Sequence, residues 1–226
     1  MLSSTSLLTA QRPTQEDQAR FVHALLTMSE AFFPHEFSWK NRAFYGRYIL
    51  PEIRHQGNKP TCLFNAMCTA AEIEMARTAA MNYQPMYTRF DVDSFVRDYE
   101  DFAARIEYGY QCVQIYDVQS IHTFEDVCNT INQGRPVLGM LGLTIDFDHL
   151  PPTGIYRYYR ERRKIPETTH EVVFIGYGLY FGERYLVFMN SHGERFGDRG
   201  FGRVFFSSVS DLMTLRVPSI SPFRGP

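Results

Sequence analysis

The spacing of apolar residues changes character midway along the chain. The first half has the three-to-four-residue period of helices, and the second runs in short apolar blocks that read as strands. Residues 15–33 carry Phe21, Leu25, Met28 and Phe32 on one stripe, which predicts an amphipathic helix ended by Pro34. Residues 34–60 are aromatic-rich and aperiodic, and read as a chain crossing a surface rather than forming a sheet. A helix is predicted over about 62–80, with Thr61 as its cap and Ala66, Ala70 and Ala71 small enough for deep burial. A second, over about 91–104, opens at Asp91 with Val92, Phe95, Tyr99 and Phe102 inward. A third, over about 123–133, has Thr123 as cap, Asp126 at its third position and Gly134 as its stop. Strands are predicted over 136–142, 171–177, 185–190 and 201–206, separated by turns rich in glycine, proline and charge. Helices first and strands after is the pattern of an α+β fold.

Composition narrows the classes. With 226 residues, 44% hydrophobic and 15% aromatic, the chain has the makings of one domain or two tightly packed lobes and is not disordered. A net charge of −2, from 23 basic and 25 acidic residues, gives no electrostatic footprint for nucleic acid. No apolar run approaches the roughly 18 residues needed to span a membrane. The N-terminus has a short Ser6-Leu7-Leu8 patch without a basic region, so a cytoplasmic location is expected unless this is a processed form. The cysteines, Cys62, Cys68, Cys112 and Cys128, are too few for a disulfide scaffold. Cys62 and Cys68 stand almost two helical turns apart, too far to bridge, and all four read as reduced thiols. No Cys or His pair has the spacing of metal ligands, and neither a metal nor a cofactor is expected.

Four residues then supply the parts of one chemistry. Cys62 sits where a helix begins, and partial positive charge there favours the thiolate. His170, in Thr169-His170-Glu171-Val172, stands at the mouth of a strand as candidate base and acid. Asn190 ends a strand and has an amide oxygen able to orient an imidazole. Gln56 can offer its amide to an oxyanion beside the Cys62 N–H. Singly, each has a commoner use: a core thiol, a capping histidine, a turn asparagine, an exposed polar residue. Their joint occurrence among particular glycines points to thiolate attack on a carbonyl.

Gln56 followed six residues later by Cys62 and a small-residue helix resembles the papain-like cysteine peptidase family. So does His170-x-Val172 leading to Gly176-Tyr177-Gly178, and so does the block from Tyr185 to Asn190-Ser191-x-Gly193 that continues to Gly200-Phe201-Gly202. Softer matches are Pro34-x-x-Phe37-Ser38-Trp39 and Gly154-Ile155-Tyr156. The resemblance implies a two-lobed α+β fold, with a helical left lobe over about 51–112 and an antiparallel β-rich right lobe over about 113–226. The catalytic cleft lies between them, and 1–33 form a helical extension. It further implies Cys62 as nucleophile, His170 as base and acid, Asn190 as orienter and Gln56 as oxyanion donor.

The chain departs from that family at defined places. The family's cysteine three residues before the nucleophile, bonded to a left-lobe partner, is Lys59 here, and the tryptophan after the nucleophile is Leu63. The tryptophan that shields the Asn–His bond is His192, which is expected to exclude water less well or to bond Asn190 itself, and so to slow turnover. Residues 69–110 lack the glycine-rich segment that lines the family's specificity pocket, and 1–33 are too short for its inhibitory prosegment. Arg157, Arg160, Arg162, Arg163 and Lys164 crowd one loop, by default a solvated one and otherwise a surface for an acidic substrate or partner. The resulting expectation is a thiol hydrolase of peptide or isopeptide bonds, working through a thioester on a peptide or protein substrate, with a proteinaceous inhibitor as a further partner. A catalytically weak binding relative, or an acyltransferase using the same thioester, would keep the same fold.

Overall fold

A computed structural model describes residues 33–85, 89–94, 96–97, 117–158 and 168–216. By its packing the chain divides into two compact units, Met1–Pro34 and His35–Pro226. The helix expected over 15–33, most of that over 91–104, Cys112 and the basic stretch 159–167 lie outside the described residues.

The second unit is organised on one antiparallel sheet. Its strands are β1 (Phe37–Ser38), β2 (Asp117–Ser120), β3 (Val137–Leu143), β4 (Thr168–Tyr180), β5 (Glu183–Met189), β6 (Phe201–Phe205) and β7 (Val209–Arg216). The order is β2-β7-β3-β4-β5-β6, with β1 added on β4. In this register Leu141 faces His170, and Val173 faces Met189, across neighbouring strands. Val137, Leu141, Val172, Phe174, Leu186, Phe188 and Val204 are all buried, each removing enough apolar surface to stabilise the fold by roughly 1.5–3 kcal/mol.

Among the described residues, two longer helices accompany the sheet. Helix α1 (Cys62–Met81) is buried on nearly every side, so its acidic residues must find partners. Glu72 meets Arg54 at 2.6 Å, and Glu74 meets Arg77 at 2.9 Å with Arg135 nearby. Helix α2 (Phe124–Asn132) is amphipathic; Thr123 caps it by accepting from the Asp126 N–H at 3.1 Å, and Gly134 follows it at φ +74°. Its inner face meets Trp39, whose indole Nε1–H donates to the Ile131 carbonyl at 2.6 Å.

Several sequence expectations are revised. The 34–60 stretch is not wholly irregular: Phe37–Ser38 joins the sheet opposite Gly176 and Tyr177. A Cβ at Gly176 would lie 2.5 Å from the Phe37 carbonyl oxygen, so the approach requires glycine. Thr61 precedes α1 as predicted, but its side chain does not cap the helix; it accepts from the Asn65 amide at 3.1 Å instead. Strands β2 and β7, absent from the sequence reading, pair with one another and carry β7 onto β3. Their mixed polar and apolar residues do not form the solid blocks that mark the buried centre of the sheet. Asp91 does open a helical segment, accepting from the Asp93 N–H at 3.1 Å.

Candidate active site

Cys62 is the first residue of α1, half-buried and free. Three and four residues on, Asn65 and Ala66 stand on the same helical face, followed by Thr69. That face packs against Glu171–Val173 of β4 and the corner Met189–Ser191, leaving a gap of only about 10 Å³. Cys62 therefore extends the stripe by which α1 meets the strand that carries His170.

The loop before α1 is stitched to the corner after β5. The Gln56 N–H donates to the Ser191 carbonyl at 2.8 Å, the Gly193 N–H donates to the Arg54 carbonyl at 3.0 Å, and His55 bridges His192 between them. Arg54 anchors this loop from below. Its guanidinium reaches Glu72 at 2.6 Å and the Phe90 carbonyl at 3.0 Å, while Glu72 also accepts from the Phe90 N–H. Arg54 and Glu72 side chains are each only 7% exposed, so this pair works in a medium where an unmatched charge is severely penalised. Gln56 is held at both ends: its Oε1 accepts from the Ser191 hydroxyl, and its Nε2 donates to the Lys59 carbonyl at 3.0 Å. One N–H of that amide stays available. Lys59 itself pairs with both oxygens of Asp93, at 2.9 and 3.0 Å.

His170 is not an exposed residue ahead of a strand. It is the third residue of β4 and 3% exposed, because the strand begins earlier, at Thr168, than the apolar block suggested. Asn190 follows β5 and brings its Oδ1 to 2.6 Å from His170 Nε2. The same oxygen accepts from the Ser191 N–H at 2.8 Å, which fixes which way the amide points. An oxygen that only accepts forces the proton onto Nε2 and leaves Nδ1 of the neutral ring free to take one. Burial lowers the His170 pKa below the ordinary imidazole value; the Asn190 hydrogen bond and the charges of Asp148 and Glu171 oppose it.

An aromatic cluster encloses this pair. Phe147 lies 5.7 Å edge-on from His170 and also touches Tyr156, Phe188 and Phe196. His192 stands over His170 with ring centroids 4.6 Å apart, and its Nδ1 lies 2.9 Å from Asp148 Oδ1. The expected bond from His192 to Asn190 is not made; Asp148 takes the ring instead. Asp148 and Phe147 were missed in the sequence because a short 3-10 turn, Phe147–His149, has neither period nor spacing to announce it. Leu63, at the position of the family's first tryptophan, is exposed. Arg157, assigned by its neighbours to a solvated basic loop, is instead paired at 2.6 Å with Glu183 and lies over the Phe205 ring.

The sequence profile of the papain family cysteine proteases matches residues 83–211, more than half of the chain. The chain belongs to the papain family of cysteine proteases. The matched stretch contains His170 and Asn190 and begins beyond Gln56 and Cys62. Solved papain-family structures share the two-lobed α+β fold at low identity. One, from work on the mite allergens Blo t 1 and Der p 1, has 16% identity and a TM-score of 0.56, over 90% of this chain and 84% of that one. The bromelain protease of Ananas comosus in complex with the E64 inhibitor has 12% identity and a TM-score of 0.51, over 81% and 99%. Digestive procathepsin L2 from the larval midgut of Tenebrio molitor has 15% identity and a TM-score of 0.55, over 80% and 67%. No match was found among curated proteins.

Among the described residues no helix is long and apolar enough to cross a membrane, and no group of three or more His, Cys, Asp or Glu is arranged to hold a metal. Burial pushes the Cys68 and Cys128 thiols up to about 11, which separates them from any thiolate chemistry at neutral pH.

Proposed function

We propose that this papain-family protease hydrolyses peptide or isopeptide bonds with Cys62 as nucleophile, His170 as base and acid, Asn190 as orienter and Gln56 as oxyanion donor. The observation that carries the reading is the 2.6 Å bond from His170 Nε2 to Asn190 Oδ1, since it leaves Nδ1 as the proton-exchanging atom. Cys62 is the first residue of α1, on the helical stripe that packs against the strand carrying His170.

The steps follow from these roles. His170 Nδ1 takes the Cys62 proton, and the sulfur attacks the substrate carbonyl carbon. The oxyanion accepts from the Cys62 N–H and from the free N–H of the Gln56 amide. Collapse breaks the C–N bond as His170 returns its proton to the leaving amine, and water activated by the same ring then hydrolyses the thioester. An open cavity of about 400 Å³, lined by Gln56, Lys59 and Phe90–Asp93, lies beside the Gln56 loop, and the chain being cut would lie over Cys62. A proteinaceous inhibitor would occupy the same space. A cytoplasmic setting is part of the proposal.

Hydrolysis of a panel of fluorogenic peptide amides by the wild-type protein and by Cys62→Ala tests the reading. Turnover that vanishes in the variant supports it, and turnover that survives contradicts it. Adding a competing amine separates the hydrolase from an acyltransferase: the proposal predicts free acid as the main product, and a dominant amide would assign the thioester to transfer.

A further inference from the structure

His170 faces opposing demands. Its burial among Phe147, Phe188 and Phe196 favours the neutral ring, yet a thiolate–imidazolium pair needs it charged. Asn190 is uncharged and orients the ring without supplying a counter-charge. Of the charged groups around the two imidazoles, His55 faces His192 from the loop before α1, Glu171 adjoins His170 on β4, and Asp148 reaches in from the 3-10 turn.

Asp148 is the group with a built position. Its turn is pinned by Phe147, 1% exposed and locked in the aromatic cluster, so the carboxylate of the next residue is carried to the His192 ring. An ionised carboxylate only accepts, so His192 donates from Nδ1 at 2.9 Å, and its ring packs against His170 at 4.6 Å between centroids with the planes tilted by 47°. We propose that Asp148 is a positioning residue for the hydrolysis: it anchors His192 across the face of His170 and, through that ring, supplies the negative charge that sustains the His170 imidazolium. The catalytic part of this inference rests on the thiol hydrolase reading. The directions of titration agree with it. Asp148 raises the His170 pKa against the larger lowering by burial. His192 is lowered, by burial first and next by the charge on His170.

The sign follows. Removing the carboxylate disfavours the imidazolium, so the alkaline limb of kcat/KM, where that proton is lost, moves to lower pH. Asp148 is 69% exposed, so screening keeps the effect modest: kcat/KM on the alkaline limb is about two- to threefold lower in Asp148→Asn, with the neutral-pH plateau and Tm little changed. The test is a pH profile of kcat/KM for wild type, Asp148→Asn, His192→Phe and the double variant, per mole of active thiol. Alongside it, imidazole NMR follows the titration of His170 in the Cys62→Ala protein with and without Asp148→Asn. The inference expects a downward move of the alkaline limb and of the His170 titration in Asp148→Asn, and no further move when Asp148→Asn is added to His192→Phe. An unmoved His170 titration, or an equal move in the His192→Phe background, overturns it. Loss of all Cys62-dependent hydrolysis in wild type would defeat the hydrolase reading instead, while the NMR titration would still decide the role of Asp148.

Discussion

The two sides of the candidate site are built differently. On the histidine side, neighbouring strands hold His170 and Asn190 in register, and packed aromatic rings close over them. On the cysteine side, Gln56 and Cys62 stand on a loop and a helix start, tied down by one buried ion pair and one exposed pair. The papain family joins that loop to its left lobe through a disulfide, whereas here Lys59–Asp93 lies in the corresponding place, with side chains 62% and 57% exposed. A covalent tie resists salt and fixes distance; a solvated ion pair does neither. The histidine side is thus preorganised by the core, and the cysteine side depends on electrostatics.

The largest effect tests whether the two sides act as one unit. Cys62→Ala is expected to reduce kcat/KM by about 10⁴-fold or more, and His170→Ala to match it, because residues of one catalytic unit fail together. Kinetics of the single and double variants decide this: if the double variant were far slower than either single one, the residues would be acting independently.

Next comes the buried anchor of the cysteine side. Glu72→Ala leaves Arg54 charged and unpaired in a buried site, so a loss of about 3–5 kcal/mol in unfolding free energy is expected from urea titration. Loosening of the Gln56 loop should accompany it, since the Arg54 carbonyl holds Gly193. A loss below about 1 kcal/mol would mean that the loop is held by something else.

Acid pH should strain the histidine side in particular. His170 and His192 both have lowered pKa values in the folded protein, burial being the first cause of each. The unfolded chain then takes up these protons more readily, so their contribution to stability is full above about pH 6.5 and declines as pH falls below it. Glu171, raised by burial, acts in the opposite sense, because the folded state binds its proton more readily. Urea midpoints at pH 7.5, 6.0 and 5.0 are expected to fall in that order, and more gently in His192→Phe; an equal decline in that variant would remove His192 from the explanation.

The smallest effect belongs to Lys59–Asp93. Lys59→Ala is expected to change stability by less than about 1 kcal/mol at low salt and by nothing measurable in 1 M salt. A large, salt-independent loss would show that this pair replaces more of the disulfide than its exposure allows.

How much of this was legible in the sequence also divides along the same line. The buried strands announced themselves as apolar blocks, and Thr123 and Gly134 bounded their helix as cap chemistry requires. His170 and Asn190 could be named because each stands beside an apolar block, although the strand around His170 proved longer than the block itself. β7 was missed because half its residues are polar and its pairing with β3 and β2 is set by tertiary contact rather than by period. Phe147 and Asp148 were missed for a related reason: three residues of 3-10 turn gain their meaning only from the cluster into which Phe147 inserts. On the cysteine side the sequence placed Cys62 at a helix start, but nothing in it foretold that Arg54 and Glu72 would anchor the loop from eighteen residues apart.

The central claim is that Cys62 is the reactive thiol served by His170. Peptide mapping by mass spectrometry, after brief treatment of the folded protein with an electrophilic thiol probe at pH 7, tests it most directly. The account predicts an adduct on Cys62, formed more slowly in His170→Ala, with Cys68 and Cys128 unmodified because burial holds both near 11. No adduct on Cys62, or one that forms at the same rate without His170, would contradict it.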